Sequence, residues 1–323
     1  MDTAIASLGT LPSLVANDFD GNANSDLLVY NTSTGQTIVV SLDNATPTSA
    51  NSVVTEDPAT GWVVKAIGDF NGDCNLDLLL YNTLDGSVRV ILLDGSTVLS
   101  DTTVLQLPAA TNFEIRGTGD FDSDGDSDLV IFNPATGLIG ILFLENASLV
   151  SGEGVIQLDV DNNWDLINTG DFDGDGKFDL LAYQTDTGIV AEILLDGSTV
   201  LSFNGLIALD SLAGWGVQDT ADFNNDGRWD LLTHNTTDGL TGIVTLDGTT
   251  PTHTVVFQVD LAQGWSLINA GDYDGDANND FLMLNTTTSI VASGLLQNNS
   301  VLSVVGLINL NFAPDFTLLS SKP

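Results

Sequence analysis

Asp171-Phe172-Asp173-Gly174-Asp175-Gly176-Lys177-Phe178-Asp179-Leu180-Leu181 places acidic side chains at positions 1, 3, 5 and 9 of a short glycine-rich loop, then runs directly into apolar residues. Carboxylates this crowded repel one another; at about 5 Å and an effective dielectric of about 20, each pair costs on the order of 3 kcal/mol. A hard cation relieves that repulsion, and oxygen ligands on a flexible loop suit Ca2+. The loop recurs at Asp18–Asp26, Asp69–Asp77, Asp120–Asp128, Asp222–Asp230 and Asp272–Asp280. The first Asp falls at 18, 69, 120, 171, 222 and 272, a spacing of 51 residues four times and then 50. A fixed period in this range marks a repeat architecture.

The segments between the loops repeat as well. An aromatic or leucine column, Leu11, Trp62, Phe113, Trp164, Trp215, Trp265 and Phe316, opens a short alternating segment that reads as a first strand. After the loop comes a near-continuous apolar run, such as Leu78-Leu79-Leu80-Tyr81 or Leu180-Leu181-Ala182-Tyr183. Such a run predicts a second strand buried on both faces. A turn follows, in which Asn31, Asn82, Asn133, Gln184, Asn235 or Asn285 is expected to bond the turn backbone and a glycine supplies positive φ. The third strand, Ser87–Leu93 or Ile189–Leu195, ends at an Asp-Gly pair (Asp94-Gly95, Asp196-Gly197, Asp247-Gly248), a two-residue hairpin signal. A fourth strand spans Thr97–Leu107 or Thr199–Leu209. No helical periodicity occurs. The expected fold is therefore all-β: a β-propeller of six four-stranded blades of about 51 residues, with a calcium loop between the first two strands of each blade. The repeat units fall near 11–61, 62–112, 113–163, 164–214, 215–264 and 265–315 of one domain, 1–323, with partial units at both ends. Either those ends overlap to close a six-bladed ring, or the chain is a segment of a longer array.

The pattern of an aromatic, a short strand, Gly-Asp-Phe-Asp-Gly-Asp-Gly, a further Asp and Leu-Leu resembles the FG-GAP/VCBS repeat family, over all six repeats. That resemblance implies a calcium-binding propeller like the integrin α-subunit head, with its metal loops on the face opposite the usual ligand face. It implies ligands at positions 1, 3, 5 and 9 and a backbone carbonyl at position 7. The corresponding residues are Asp18, Asp20, Asn22, Asn24 and Asp26; Asp69, Asn71, Asp73, Asn75 and Asp77; and Asp120, Asp122, Asp124, Asp126 and Asp128. The remaining loops supply Asp171, Asp173, Asp175, Lys177 and Asp179; Asp222, Asn224, Asp226, Arg228 and Asp230; and Asp272, Asp274, Asp276, Asn278 and Asp280. Position 7 supports the carbonyl independently, because a column that tolerates Lys177 and Arg228 beside a cation is not a side-chain ligand. Up to six Ca2+ are expected, bound most tightly at the third and fourth loops. Asn22, Asn71 and Asn224 lower the charge of the first, second and fifth, which rank weakest. Position 6 is Gly in three loops, but Ala23, Cys74 and Ala277 must turn without glycine's freedom. An EF-hand is excluded, since it needs a Glu at position 12 where this loop has Ala182.

Composition narrows the function. Of the 323 residues 43% are hydrophobic, enough for a large core, and the formal charge is −38 with only six Lys plus Arg. Nucleic acid and anionic membranes are poor partners for such a surface. The six loops hold 22 of the 44 acidic residues, so half the acidity has a local explanation. Cys74 is the single cysteine, which excludes a disulfide within the chain, and it reads as a small tolerated loop residue. No apolar run reaches membrane-span length. Met1-Asp2-Thr3-Ala4 lacks the basic and apolar regions of a signal peptide, so a mature domain or an excised fragment is expected.

Catalytic chemistry is sparse. His234 reads as structural, His253 as an exposed strand residue, and neither sits in a nucleophile–base pattern. Glu114, Glu153, Asp165, Glu192 and Asp219 are the acids outside the loops among which a carboxylate pair would have to be sought; Glu192 reads as an outward-facing strand residue. Trp229, unique at position 8, is a candidate contact residue, while the aromatic column reads as packing between blades. Asn-x-Ser/Thr triplets occur at Asn31, Asn44, Asn146, Asn235, Asn285 and Asn298. The expected role is a non-enzymatic, extracellular or cell-surface adhesion and ligand-binding module that takes a protein or glycan partner. A lectin using inter-blade pockets is the alternative, and a propeller hydrolase or lyase is less favoured.

Overall fold

A computed structural model describes residues 17–107, 109–247, 250–297, 299–309 and 316–319. It contains 24 strands in six four-stranded antiparallel sheets. The first blade holds β1 (Leu27–Asn31), β2 (Gln36–Asp43) and β3 (Thr46–Thr55); the second holds β4 (Trp62–Gly68), β5 (Asp77–Asn82), β6 (Ser87–Asp94) and β7 (Thr97–Gln106). The third runs β8 (Glu114–Gly119), β9 (Asp128–Phe132), β10 (Leu138–Glu145) and β11 (Ser148–Gln157). The fourth runs β12 (Trp164–Gly170), β13 (Asp179–Gln184), β14 (Ile189–Asp196) and β15 (Thr199–Ala208). The fifth runs β16 (Trp215–Ala221), β17 (Asp230–Asn235), β18 (Leu240–Thr245) and β19 (Thr252–Gln258); the sixth runs β20 (Trp265–Gly271), β21 (Asp280–Asn285), β22 (Ile290–Gln297) and β23 (Ser300–Asn309). One strand remains, β24 (Phe316–Leu319), and it completes the first blade.

That placement decides how the ring closes. β24 pairs antiparallel with β1, and Phe316 lies opposite Asn31 as Trp62 lies opposite Asn82 in the second blade. The last copy of the repeat thus supplies the inner strand of the first blade, in the register of every other inner strand. The expected N-terminal partial unit and the first strand opened by Leu11 lie outside the described residues. Leu318 packs with Leu27, Val29, Val40, Leu282 and Val291, in the apolar cluster that joins the sixth blade to the first. A charge there would be buried without a partner, so Leu318→Asp should cost about 3–5 kcal/mol, read as a lower urea midpoint at unchanged m-value.

The remaining core is divided in the same way, with one apolar cluster in each inter-blade seam. Strand β5 shows why its sequence has no polar face. Leu78 and Leu80 pack toward the first blade, whereas Leu79 packs toward the third. Inner strands of successive blades touch around the axis. Hydroxyls stitch them together: Thr118 Oγ1 donates to the Ile67 carbonyl at 2.7 Å, and Thr169 Oγ1 to the Thr118 carbonyl at 2.8 Å.

Antiparallel topology puts the loops between first and second strands on the same end as the hairpins between third and fourth strands. The other end carries the short turns and the connections between blades, several of which form a 3-10 turn capped by an aspartate, as at Asp159 and Asp210. The expected asparagine column operates there. Asn31 Oδ1 accepts from the Ser33 and Thr34 N–H groups, and Asn285 Oδ1 accepts from Thr287 and Thr288. Asn31, Asn235 and Asn285 are buried in these roles, so their Asn-x-Ser/Thr triplets are closed to glycosylation, whereas Asn44 and Asn146 are exposed at hairpin tips. Asp94 and Asp196 pair with Thr97 and Thr199, so the two-residue hairpin loops are Gly95-Ser96 and Gly197-Ser198 rather than Asp-Gly, with the glycines at φ of +59° and +61°; Gly248 and Asn298 lie outside the described residues.

Candidate metal centres

Each acidic loop is wound around its first aspartate. Asp171 Oδ1 accepts the Gly174 N–H at 2.7 Å and Oδ2 accepts the Gly176 N–H at 2.9 Å. Asp18 does the same with Gly21 and Ala23, both at 2.8 Å. Position 3 accepts the N–H of position 5, and position 5 that of position 7, as in Asp173 with Asp175 and Asp175 with Lys177. The backbone therefore curls inside a row of carboxylates. Ala23, Cys74 and Ala277 adopt φ of +65°, +67° and +66° at position 6, the left-handed conformation that glycine takes in the other loops. For a residue with a Cβ this costs about 1–2 kcal/mol.

The carboxylates converge. In the first, third and fourth loops, positions 1, 3 and 9 (Asp18, Asp20, Asp26; Asp120, Asp122, Asp128; Asp171, Asp173, Asp179) bring oxygen atoms within 4.8 Å of one another. In the sixth, Asp272, Asp274 and Asp276 do so. The second and fifth loops have an amide at position 3, and there Asn71 Nδ2 and Asn224 Nδ2 donate to Asp73 and Asp226. The donor set is oxygen throughout, with no imidazole, and Cys74 is exposed, so the chemistry fits a hard divalent cation.

Position 9 has a second task that its sequence does not reveal. Asp128 is fully buried; its Oδ2 accepts the Phe121 N–H at 3.1 Å and its Oδ1 the Leu144 N–H at 2.9 Å. The same two bonds, to position 2 of the loop and to the third strand, recur at Asp26, Asp77, Asp179, Asp230 and Asp280. Burial pushes Asp26, Asp77, Asp128, Asp179 and Asp230 up to about 7 and Asp280 to about 8. The two backbone bonds work against that shift, and neighbouring loop carboxylates add to it. Burial likewise raises Asp18, Asp69, Asp120 and Asp171 at position 1, and Asp272 to about 6. A cation in the loop would supply the positive charge these groups lack.

In the first, third and fourth loops the position-7 side chain reaches the hairpin of the same blade, whereas Asn278 Nδ2 of the sixth donates back to Asp276 Oδ1. Asn24 Oδ1 accepts the Asn44 N–H at 3.1 Å, Asp126 accepts from Asn146, and Lys177 pairs with Asp196. This is why the column tolerates a cationic side chain.

Position 8 ties the loops to one another. Its N–H donates to the position-1 carbonyl of the preceding loop: Leu76 to Asp18 at 3.1 Å, Phe178 to Asp120 at 2.9 Å, Trp229 to Asp171 at 2.7 Å, and likewise Ser127 to Asp69 and Ser25 to Asp272. At the sixth loop the side chain takes over, with Asn279 Nδ2 donating to the Asp222 carbonyl at 2.7 Å. Trp229, the candidate contact residue, is half-buried in this arrangement. Its ring covers Gly170, where a Cβ would lie 2.6 Å from the indole, and meets Phe178 edge-on with centroids 5.2 Å apart.

Among the described residues, those outside the loops gather into no comparable site. His234 is buried with Nδ1 3.3 Å from Thr241 Oγ1; His253 is exposed, rests on Trp215 and lies 3.0 Å from Thr233 Oγ1. Glu192 is half-buried, and Asn204 donates to it at 3.2 Å. Glu114 and Asp165 both pair with Arg116, and Asp219 is buried, accepting the Ala270 N–H at 2.8 Å. Glu153 is exposed on β11.

The FG-GAP-like repeat family matches residues 69–131, from the second acidic loop into β9. No curated protein matches the chain in sequence. Among solved structures, the Photorhabdus luminescens Tc holotoxin pore aligns with 90% of this chain at 14% identity and a TM-score of 0.54. This chain spans 14% of the length of that one. A nidogen/laminin complex aligns with 92% of this chain and 99% of its own at 11% identity and a TM-score of 0.50. At such identities both likenesses concern the fold alone. The chain is a six-bladed β-propeller in which one segment, from the second acidic loop into the third blade, matches the FG-GAP-like repeat family.

Proposed function

We propose that this propeller is a calcium-stabilised extracellular binding module without catalytic activity, and that its ligand engages the face opposite the metal loops. The observation that carries the calcium reading is the ring of six buried position-9 aspartates, each beside further carboxyl or amide oxygens and each pushed up to about 7 or 8. Loops with two amides or a non-glycine position 6 suit the millimolar calcium found outside cells. No helix among the described residues is long and apolar enough to cross a membrane.

The loop face is committed to holding cations and to bonds between blades. The opposite face is better suited to a partner. Its turns are rich in threonine, and Leu84 and Leu212 stand 73% and 95% exposed on it. Two separate exposed leucines among threonine-rich turns give this face apolar contact points for a protein partner. The test is binding to a panel of extracellular matrix proteins in calcium, with Leu84→Asp/Leu212→Asp as the variant. Loss of binding at unchanged melting temperature supports the reading; full binding by the variant refutes the face assignment.

A glycan-binding reading is favoured by one feature of that same face. An open depression of about 530 Å³ is lined by Thr136, Gln157, Asp159 and Asp161 together with Ala135, Leu158 and Val160. Its mixed polar and aliphatic wall suits a sugar. Silence across a glycan array would dismiss this reading and leave the protein-binding one in place.

A further inference from the structure

We propose that the six loops take up calcium as one coupled circuit rather than as independent sites, an inference that rests on the calcium reading above. The physical link is the bond from position 8 of each loop to position 1 of the loop before it. Position 1 is the residue around which a loop is wound, since its carboxylate accepts the N–H groups of positions 4 and 6. A cation in one loop immobilises its positions 5 to 9. That fixes the position-8 donor and, through it, the peptide of the neighbour's position-1 aspartate. Part of the ordering cost of the neighbouring loop is then already met, which is positive coupling without any rearrangement.

Packing strengthens the same link. Gly275 of the sixth loop lies against Asn24 of the first, where a Cβ would come within 2.7 Å of Oδ1, and Gly72 of the second lies against Asp126 of the third. The circuit therefore runs through the seam at which the ring closes. It matters most for the second and fifth loops, which lack the position-3 carboxylate. Each is flanked by two loops in which three carboxylates converge. In the coupled circuit these weak sites fill at the calcium concentration that fills their neighbours.

The fifth and sixth loops offer a clean cut, because there the link is the Asn279 side chain rather than a backbone N–H. Asn279→Ala removes it without touching any oxygen assigned to a cation. The Gly227 amide, which donates to Asp222 at 2.9 Å, reports the fifth loop by NMR, and the Ala277 amide reports the sixth. In a calcium titration of the intact chain, Asn279→Ala should move the Gly227 midpoint to about fivefold higher calcium, the lower end of ordinary coupling between sites. Asp276→Asn, which weakens the sixth site, should shift Gly227 by a similar factor in the wild type and by none in the Asn279→Ala background. Asn279→Leu, closer in size and also without a donor, serves if the alanine variant does not fold. Gly227 midpoints within twofold of wild type in these variants would overturn the coupling while leaving the calcium reading intact. Loop amides that do not respond to calcium at all would overturn both.

Discussion

Stripped of divalent cations over a chelating resin, the protein should lose stability as the pH rises from 5 to 8, and saturating calcium should reverse that trend. The sign follows from the position-9 aspartates. Their folded-state values lie near 7 to 8, above the ordinary 3.8 of an unfolded chain. A raised carboxyl stabilises the fold while it stays protonated, and that contribution disappears as the pH climbs through its folded value. Raising a carboxyl from 3.8 to about 7 corresponds to roughly 4 kcal/mol per site. Ionising six such buried carboxyls works against the 5–15 kcal/mol by which a typical domain is stable, so the metal-free ring weakens as they lose their protons. Calcium binds the ionised form, so its affinity rises over the same window. At about ten times Kd, each filled site contributes about 1.4 kcal/mol. The expected result is a Tm at pH 8 that is on the order of 15 °C higher in millimolar calcium than in the stripped protein. At pH 5 the difference should shrink. Coincident melting curves at pH 8 would refute calcium as the stabilising partner.

The blade pattern was legible because three signals with different physical origins recur in one phase. The acidic loop, the doubly apolar second strand and the asparagine turn each mark a different part of the blade. Leu79 facing one neighbour while Leu78 and Leu80 face the other is the geometry that an unbroken apolar run implies. Ring closure was not legible. Leu11 and Phe316 occupy the same column, and phase alone does not say which copy pairs with β1. The register of Phe316 opposite Asn31 answers that for the C-terminal copy.

The links between loops were hidden for another reason. Their acceptors are backbone carbonyls, which leave no residue signature, and position 8 itself varies freely from Ser25 to Trp229. One trace was available. The residue ending the first strand is Gly68, Gly119, Gly170 or Gly271 in four blades, and the missing Cβ leaves room for the next blade's position-8 side chain: Ser127, Phe178, Trp229 and Ser25. Paired across one period, those two columns point to packing, where the second column alone suggested a surface contact.

Position 9 separates what holds the cation from what holds the blade. Asp122 and Asp128 belong to the same loop, yet replacing each by alanine should have different consequences. Asp122 is exposed and accepts one N–H at 3.2 Å from within the loop. Its loss should remove a ligand oxygen while changing metal-free stability by no more than about 0.5 kcal/mol. Asp128 accepts two buried N–H groups, from Phe121 and Leu144. Asp128→Ala strands both, and each buried donor without a partner costs about 1–3 kcal/mol. Urea denaturation of the metal-free protein at pH 5, where burial keeps this carboxyl largely protonated, should therefore show a loss of about 3 kcal/mol for Asp128→Ala. Asp128→Asn should fall between the two, since its amide keeps one acceptor and turns an NH2 group toward the second donor. Calcium should then rescue neither alanine variant at the third loop, for unrelated reasons. In Asp122→Ala the loop is intact but one oxygen short; in Asp128→Ala the strand that closes the loop is no longer anchored. Equal metal-free stability of the two alanine variants would show that position 9 acts only as a ligand, and that the third strand is held by the sheet without it.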